Sequence, residues 1–306
     1  MKKYDVVLLT DARYVSPINP GEYEQNILNE DALLSEALEE EGLKVYRTNW
    51  DDKDFNWSET KSVIFRTTWD YFHRFKEFFE WLQFIKSKTI LINPFELLMW
   101  NMDKHYLDDL QKKGIAIPPT VFIEKGEAHT LQSIVEEAGW DEIILKPAVG
   151  GSARHTYRIA KNDVASHENI FRKHILEEAF LIQQFQESVL VNGEVSLMVM
   201  KGKYTHAVLK IAKQGDFRVQ DDFGGTVHPY TPTKTEIAFA EQVVAAAPLL
   251  PLYARVDIIR GNNDEEYVSE LEIVEPELWF RFYPKAAKTF AKSISEYLQK
   301  QTAIDS

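Results

Sequence analysis

Carboxylates recur at strand spacing in two segments near the carboxyl end of the chain. Residues 253–260 (YARVDIIR) and 266–274 (EYVSELEIV) flank the turn sequence GNND, which predicts an antiparallel hairpin. A four-residue loop pairs residue 260 with 265, so that Asp257 faces Val268. One face then carries four charged side chains, Arg255, Asp257, Glu270 and Glu272. Three converging carboxylates suit Mg²⁺, which prefers oxygen ligands, whereas a solvated charged face is the alternative interpretation.

Two lysines and a glycine-rich loop indicate phosphate binding. Lys146 ends an apolar strand predicted at 142–146, and the loop Gly150-Gly151-Ser152 follows it. Glycine lets backbone N–H groups approach an anion closely, and a lysine ammonium is a flexible point charge for phosphate oxygens. Lys104 lies midway through a helix predicted at 96–113. The alternative interpretation is a strand that ends at Lys-Pro and a simple Gly-Gly turn.

The run 181–187 (LIQQFQE) is apolar at first and then becomes polar. Such a connector can offer the backbone around Gln183, Gln184 and Phe185 to the edge of a base, and Glu187 to ribose hydroxyls. Strands that leave a core often end in the same way, which is the structural alternative.

Several common catalytic motifs are missing from the sequence. It has no Gly-x-Gly-x-x-Gly after the first strand, no P-loop, no Gly-x-Ser-x-Gly and no His-Glu-x-x-His. With no cysteine, it has no disulfide and no thiolate nucleophile. Cations for phosphates, a glycine loop and a carboxylate cluster together indicate ATP binding without a P-loop.

The predicted elements favour an α/β protein with three segments. In the first segment, strands at 4–10, 43–47, 62–67 and 89–92 alternate with helices at 29–42 and 76–85, which predicts a parallel sheet. Ligands bind beyond the carboxyl ends of such strands, where Asp11 and residues 66–71 lie. Breaks near Pro94 and Phe185 give predicted domains of residues 1–94, 95–185 and 186–306. The later strands are predicted at 120–123, 142–146, 179–185, 194–200, 204–211, 252–260 and 266–274, and the later helices at 131–138 and 286–300.

The composition bounds the partners. The chain has 306 residues, a formal charge of −13 and 44% hydrophobic residues, with no apolar run long enough to span a membrane. An acidic surface repels phosphates, so we expect no nucleic-acid partner and no membrane partner. A cytoplasmic location is expected.

In these motifs the sequence resembles the ATP-grasp ligases. It is most similar to the cycloserine-forming O-ureido-serine cyclo-ligase group, beside glutathione synthetases and ribosomal-protein glutamate ligases. The segments that carry the resemblance are RTTWDY at 66–71, NP at 93–94, WNMDK at 100–104, KPA at 146–148, GGSAR at 150–154, QQF at 183–185, GEVSL at 193–197, GDFRVQ at 215–220, GG at 224–225, RVD at 255–257 and ELEIVEP at 270–276.

The resemblance implies a fold, cofactors and residue roles. It implies an ATP-grasp fold with an N-terminal Rossmann-like domain and two ATP-grasp subdomains, using ATP and two Mg²⁺ ions. Lys104, Lys146 and the 150–152 lid would hold phosphates, residues 183–185 adenine, and Glu187 or Glu194 the ribose. Asp257, Glu270 and Glu272 would bind Mg²⁺, although the superfamily usually has Asn where Glu272 stands. Candidates for stabilising the transferring phosphoryl group are Lys210, Arg218 and Arg255.

The implied reaction joins an activated carboxylate to an amine through an acyl phosphate, with release of ADP. The substrate is expected to be small and amino-acid-like, with contacts from Asp11, Arg66, Trp69, Asp70 and Tyr71. Arg66 would pair with a carboxylate and Asp70 with an amine, whereas Trp69 and Tyr71 have simple packing as their alternative. Enzymes of this kind are commonly homodimers. A small-molecule kinase and a non-ligating nucleotide-binding module are the competing functions, and a dinucleotide oxidoreductase lacks its glycine fingerprint.

Overall fold

The computed structural model describes residues 2–220 and 223–304. Positions 1 and 305–306, the outer ends of the first and last predicted domains, lie outside the described residues. The described chain forms three sheets of four, four and five strands, in an α/β architecture. None of its helices is both long enough and apolar enough to cross a lipid bilayer.

The first sheet is parallel and has the strand order β2-β1-β3-β4. Its strands and helices are Tyr4–Thr10 (β1), Glu22–Glu40 (α1), Val45–Asn49 (β2), Thr60–Thr67 (β3), Phe75–Ile85 (α2) and Ile90–Ile92 (β4). The predicted parallel sheet is confirmed. α1 begins earlier than expected because its first turn is acidic rather than apolar, which suits a helix N-terminus but gives no hydrophobic periodicity.

Two short helices, Phe95–Asn101 (α3) and Tyr106–Lys112 (α4), stand where one helix was predicted at 96–113. The N–H of Lys104 donates to the carbonyl of Ala148 at 2.8 Å, and the N–H of His105 donates to the Asp103 carboxylate at 3.0 Å. These bonds end the first helix and start the second. The expectation that Lys104 lies midway through a helix was therefore wrong, because Lys104 lies in the turn.

The second sheet is antiparallel and has the strand order β5-β8-β6-β7. Its elements are Thr120–Ile123 (β5), Leu131–Ala138 (α5), Glu142–Pro147 (β6), Tyr157–Ala160 (β7), Val164–Ile175 (α6) and Phe180–Gln184 (β8). Apolar side chains of β6 and β8 pack against α5 and α6. The sequence did not predict β7 and α6, because residues 157–175 carry a sparse apolar pattern.

The third sheet is antiparallel and has the strand order β11-β10-β9-β12-β13. Its elements, with the flanking helices, are Val189–Asn192 (α7), Glu194–Met200 (β9), Lys203–Ile211 (β10), Thr226–Tyr230 (β11), Lys234–Ala245 (α8), Tyr253–Arg260 (β12), Glu266–Glu272 (β13) and Pro284–Ile304 (α9). β11 and α8 were missed, although a capping box between Thr233 and Glu236 marks the start of α8.

The β12–β13 hairpin has the predicted charged face in a different register. Arg260 pairs with Glu266, and Asp257 pairs with Glu270 rather than with Val268. The loop spans 261–265, and a register shift follows Asp257, so Val268 lies opposite Ile258. The shift inserts one extra residue into β13, as in a β-bulge. The extra residue turns Glu270 and Glu272 to the same face of the hairpin as Arg255 and Asp257.

Candidate functional site

A cavity of about 300 Å³ is lined by residues of the second and third sheets and by the segment that follows β3. Most residues that the sequence singled out lie on its wall: Trp69, Tyr71, Lys104, Lys146, Gly150, Gly151, Ser152, Gln183, Gln184, Phe185, Glu194, Lys210, Arg218, Arg255, Asp257, Glu270 and Glu272. The sheets therefore bring together side chains that are far apart in the chain.

Three carboxylates converge on one wall of this cavity. Asp257, Glu270 and Glu272 each offer an oxygen, and these oxygens lie within 4.8 Å of one another. Their strands hold them there, since Asp257 pairs with Glu270 across the β12–β13 ladder and Arg255 pairs with Glu272. Oxygen ligands at this spacing fit a divalent cation such as Mg²⁺.

Asp257 is held in its ionised form by two cations. The Arg255 guanidinium donates to its carboxylate at 2.8 and 2.9 Å, the Lys210 ammonium at 3.1 Å and the Ser196 hydroxyl at 2.6 Å. Burial alone would raise the pKa of Asp257, but Arg255 and Lys210 outweigh it and hold that pKa well below its usual range.

The two glutamates differ in how well their charge is compensated. Glu270 accepts from Lys104 at 3.0 Å, and Lys104 with Lys146 lowers the pKa of Glu270 against the effect of burial. Glu272 contacts Arg255. Burial nevertheless raises the pKa of Glu272 well above its usual range, and repulsion by Glu270 and Asp257 adds to the shift. Glu272 is therefore the least compensated of the three carboxylates.

Lys146 lies in the cavity without a compensating partner. No ion pair within 4.0 Å joins it to an acid in the part of the chain that the structure describes. Burial lowers the pKa of Lys146 to about 8, with Glu270 opposing that shift and Lys104 reinforcing it. A buried ammonium of this kind is suited to an anionic ligand.

The glycine loop has a strained backbone and packs against Phe72, which follows β3 of the first sheet. Ser152, Ala153 and His155 have positive φ angles of 46°, 52° and 50°. A Cβ atom on Gly151 would lie 2.8 Å from the Phe72 ring, so only glycine fits this close approach. The Gly150 carbonyl accepts from the Lys104 ammonium at 2.6 Å. The loop therefore connects a lysine of the cavity to the residues after β3.

The connector at residues 183–187 lines the cavity only in part. The N–H groups of Gln184 and Phe185 already donate to the carbonyls of Pro119 and Glu142, at 2.9 and 3.0 Å. The Phe185 ring is buried and contacts the Phe217 ring edge to face. Glu187 is exposed and is absent from the cavity lining, so Glu194 is the better placed of the two ribose candidates.

Three of the five predicted substrate residues are not part of the cavity wall. Arg66 is 1% exposed and lies 3.6 Å from Asp31 and 4.0 Å from Glu30. Asp70 accepts from Trp50 at 2.7 Å and from Arg74. Asp11 forms an ion pair with its near neighbour Arg13. The partners of these residues come from elements distant in sequence or from the local turn, which the strand-end argument did not consider.

The cavity wall also includes residues that the sequence analysis did not assign to the site, among them Tyr23, Phe72, Glu275 and Trp279. Only Glu275 carried a signal, since it extends the run of acids after β13. The Trp279 ring lies 5.1 Å from the Arg255 guanidinium and 5.8 Å from the Lys210 ammonium. These are cation–π distances.

Fold and site together define an ATP-grasp ligase. Residues 110–276 match the family described as "Prokaryotic glutathione synthetase, ATP-grasp domain", and residues 6–93 match "D-cycloserine synthetase DcsG, N-terminal domain". The chain belongs to the ATP-grasp family, whose members use ATP with Mg²⁺.

Individual relatives refine this placement. The chain is 30% identical over 285 residues to the cycloserine biosynthesis protein DcsG of Streptomyces lavendulae, covering 87% of this chain and 93% of that protein. The crystal structure of D-cycloserine synthetase DcsG superposes with a TM-score of 0.84 at 26% identity, over 96% of this chain and 99% of the other. The ATP-grasp ligase PsnB, complexed with its minimal precursor, Mg and ADP, shares the fold at 13% identity, with a TM-score of 0.60 over 96% and 98% of the chains.

Proposed function

We propose that this protein is an ATP- and Mg²⁺-dependent carboxylate–amine ligase that acts on a small, amino-acid-like substrate through an acyl phosphate. The observation that carries the proposal is the direct contact between the two halves of the nucleotide site. The Lys104 ammonium lies 3.0 Å from the Glu270 carboxylate, with the unpaired Lys146 in the same cavity. A triphosphate bridged to the carboxylates by Mg²⁺ satisfies both sets of charges.

In this proposal each part of the cavity has one task. Lys104, Lys146 and the Gly150–Ser152 loop bind phosphates. The 183–185 connector and the Phe185 ring take the base, and Glu194 the ribose. The three-part division at residues 94 and 185 is part of the same proposal, since the loop and connector would then lie between two ATP-grasp subdomains.

The residues present fit a magnesium site. Three carboxylates share one face within 4.8 Å, and burial, with repulsion among them, raises the pKa of Glu272. Asp257, Glu270 and Glu272 would hold the two ions, which would neutralise charge on the phosphates. In addition, Arg255 and Lys210 keep Asp257 ionised.

The reaction needs no nucleophile from the protein. An oxygen of the substrate carboxylate bonds to the γ-phosphorus of ATP as the bond to the β–γ bridging oxygen breaks, giving ADP and an acyl phosphate. An amine nitrogen then bonds to the acyl carbon, the phosphate leaves, and the nitrogen loses a proton. Arg255, Arg218 and Lys210 would stabilise the negative charge that develops, so catalysis is positioning and electrostatics.

A screen for ADP and phosphate release tests the proposal. The panel contains amino acids in both configurations and, following the resemblance to the cyclo-ligase group, both enantiomers of O-ureido-serine. Lys146→Ala and Asp257→Asn are the loss-of-function controls. A joined or cyclised product with stoichiometric ADP supports the ligase. ADP with a phosphorylated product indicates a kinase, and ATP binding without turnover indicates a non-ligating module.

A further inference from the structure

Glu275 is a cavity carboxylate without a cation of its own. It follows β13 and lines the cavity. The nearest cations are engaged elsewhere, since Lys104 pairs with Glu270, and Arg255 pairs with Asp257 and Glu272. Within the described ranges 2–220 and 223–304, no ion pair of 4.0 Å or less includes Glu275. Its carboxyl group is therefore available to a ligand.

Two aromatic side chains contact Glu275, and a third lies beside one of them. The Tyr71 hydroxyl donates to the Glu275 side chain, and the Trp69 indole N–H donates to its backbone carbonyl at 3.1 Å. The Tyr23 ring lies 6.2 Å from the Trp69 ring, and both residues line the cavity with Glu275. A carboxylate with aromatic rings beside it attracts a compact organic cation through charge and cation–π contacts.

The electrostatics of the cavity favour a cation at this position. Burial raises the pKa of Glu275 to about 8, Lys104 opposes the shift, and the like charge of Glu270 adds to it. A bound cation would relieve both the desolvation and the repulsion. Mg²⁺ is a poor fit there, because it needs several oxygen ligands and Glu275 does not belong to the cluster of Asp257, Glu270 and Glu272.

We propose that Glu275, with Trp69 and Tyr23, forms a subsite for the protonated primary amine of the substrate. This inference rests on the proposed function, from which the substrate carboxylate follows. The substrate class is then a zwitterionic α-amino acid, and the amine is recognised separately from the carboxylate that becomes phosphorylated.

A binding and turnover experiment on the full-length protein tests the subsite. Amino acids of both configurations and both enantiomers of O-ureido-serine are titrated calorimetrically with Mg²⁺ and a non-hydrolysable ATP analogue. Each binder is compared with its 2-hydroxy analogue, in which a hydroxyl replaces the amine. We expect Glu275→Gln to weaken amino-acid binding about 10- to 100-fold and to leave the affinity for the 2-hydroxy acid and the nucleotide unchanged. Glu265→Gln, at the exposed hairpin loop, is the matched control.

The outcomes separate the two proposals. Amino-acid binding that depends on Glu275 but gives no ADP release would contradict the proposed ligase activity and support the amine subsite. ADP release with equal preference for amino and hydroxy acids, or preference that survives in Glu275→Gln, would support the ligase and overturn the subsite. Failure of every acid to bind would overturn both.

Discussion

The guanidinium of Arg255 lies 5.1 Å from the centroid of the Trp279 ring, at the wall of the proposed phosphoryl-transfer site. Trp279 has a positive φ of 47°, which is uncommon for a bulky residue. The neighbouring backbone is fixed from outside the site. Glu30 accepts from the N–H groups of Phe280 and Arg281 at 2.9 and 3.1 Å, and the Leu278 carbonyl accepts from His206 at 2.6 Å. The fold thus holds Trp279 against Arg255.

We expect Trp279 to position Arg255 for catalysis. Replacing Trp279 by Leu removes the aromatic face, so kcat should fall about tenfold, and Trp279→Phe should restore most of the loss. Steady-state kinetics at saturating ATP measure this, and the KM for ATP should stay unchanged. Trp57→Leu also removes a buried indole but lies in the first sheet's core. It should reduce stability without reducing kcat, and an equal loss of kcat in both variants would contradict the role.

We expect Lys146 to lower the free energy of unfolding of the ligand-free protein while it is needed to bind ATP. Its pKa of about 8 lies below the usual lysine value of 10.5, so the folded protein holds the proton less tightly than the unfolded chain. Folding is therefore disfavoured as pH falls from 10.5 towards 8. Lys146→Met should raise the free energy of unfolding of the ligand-free protein at pH 7 by about 1–3 kcal/mol and abolish ADP formation. Urea unfolding at pH 7 and pH 10 checks this, since the gain should shrink at pH 10. A destabilised Lys146→Met protein at pH 7 would refute it.

Glu272 offers a test of the metal set. Its pKa is raised well above the usual range by burial, and the resemblance gives Asn at this position. Because an amide still supplies an oxygen ligand and removes repulsion, Glu272→Asn should retain turnover with a several-fold higher Mg²⁺ requirement. Asp257→Asn should lose turnover at every Mg²⁺ concentration, because it also leaves Arg255 and Lys210 without their shared carboxylate. The measurement is a Mg²⁺ titration of ADP release. An unchanged Mg²⁺ requirement in Glu272→Asn would exclude Glu272 as a ligand.

Short-range patterns predicted the charged hairpin and missed what depends on distant contacts. Alternation alone places Asp257, Glu270 and Glu272 on one face, and the bulge keeps them there although it changes the register. Lys146 follows from its position at the end of an apolar strand. Trp279 could not be found in this way, because its place depends on Glu30 in α1.

The predicted substrate residues likewise depend on contacts that sequence patterns do not predict. The strand-end rule selected Arg66 because it lies near the end of a parallel strand. Its partners Glu30 and Asp31 lie in a helix whose start the apolar periodicity did not reveal. Trp69 and Tyr71, from the same segment, do line the cavity, because the chain turns after β3 towards Glu275. Sequence periodicity cannot separate these two cases, since the difference lies in tertiary pairing.

His206 should make the fold acid-sensitive. It is 1% exposed, donates from Nε2 to the Leu278 carbonyl, and lies beside the Tyr283 ring. Burial lowers the pKa of His206 to about 4 against the opposing effect of that hydrogen bond, so the folded protein keeps it neutral while the unfolded chain takes a proton near pH 6.5. The contribution of neutral His206 to the free energy of unfolding is present above pH 6.5 and is lost as pH falls towards 4. At pH 4.5 the loss should be about 2–3 kcal/mol relative to pH 7.5.

Urea unfolding at the two pH values should show that His206→Gln removes this part of the pH dependence. His228→Gln, at an exposed position, should keep it. Equal pH dependence in wild type and His206→Gln would show that another group is responsible.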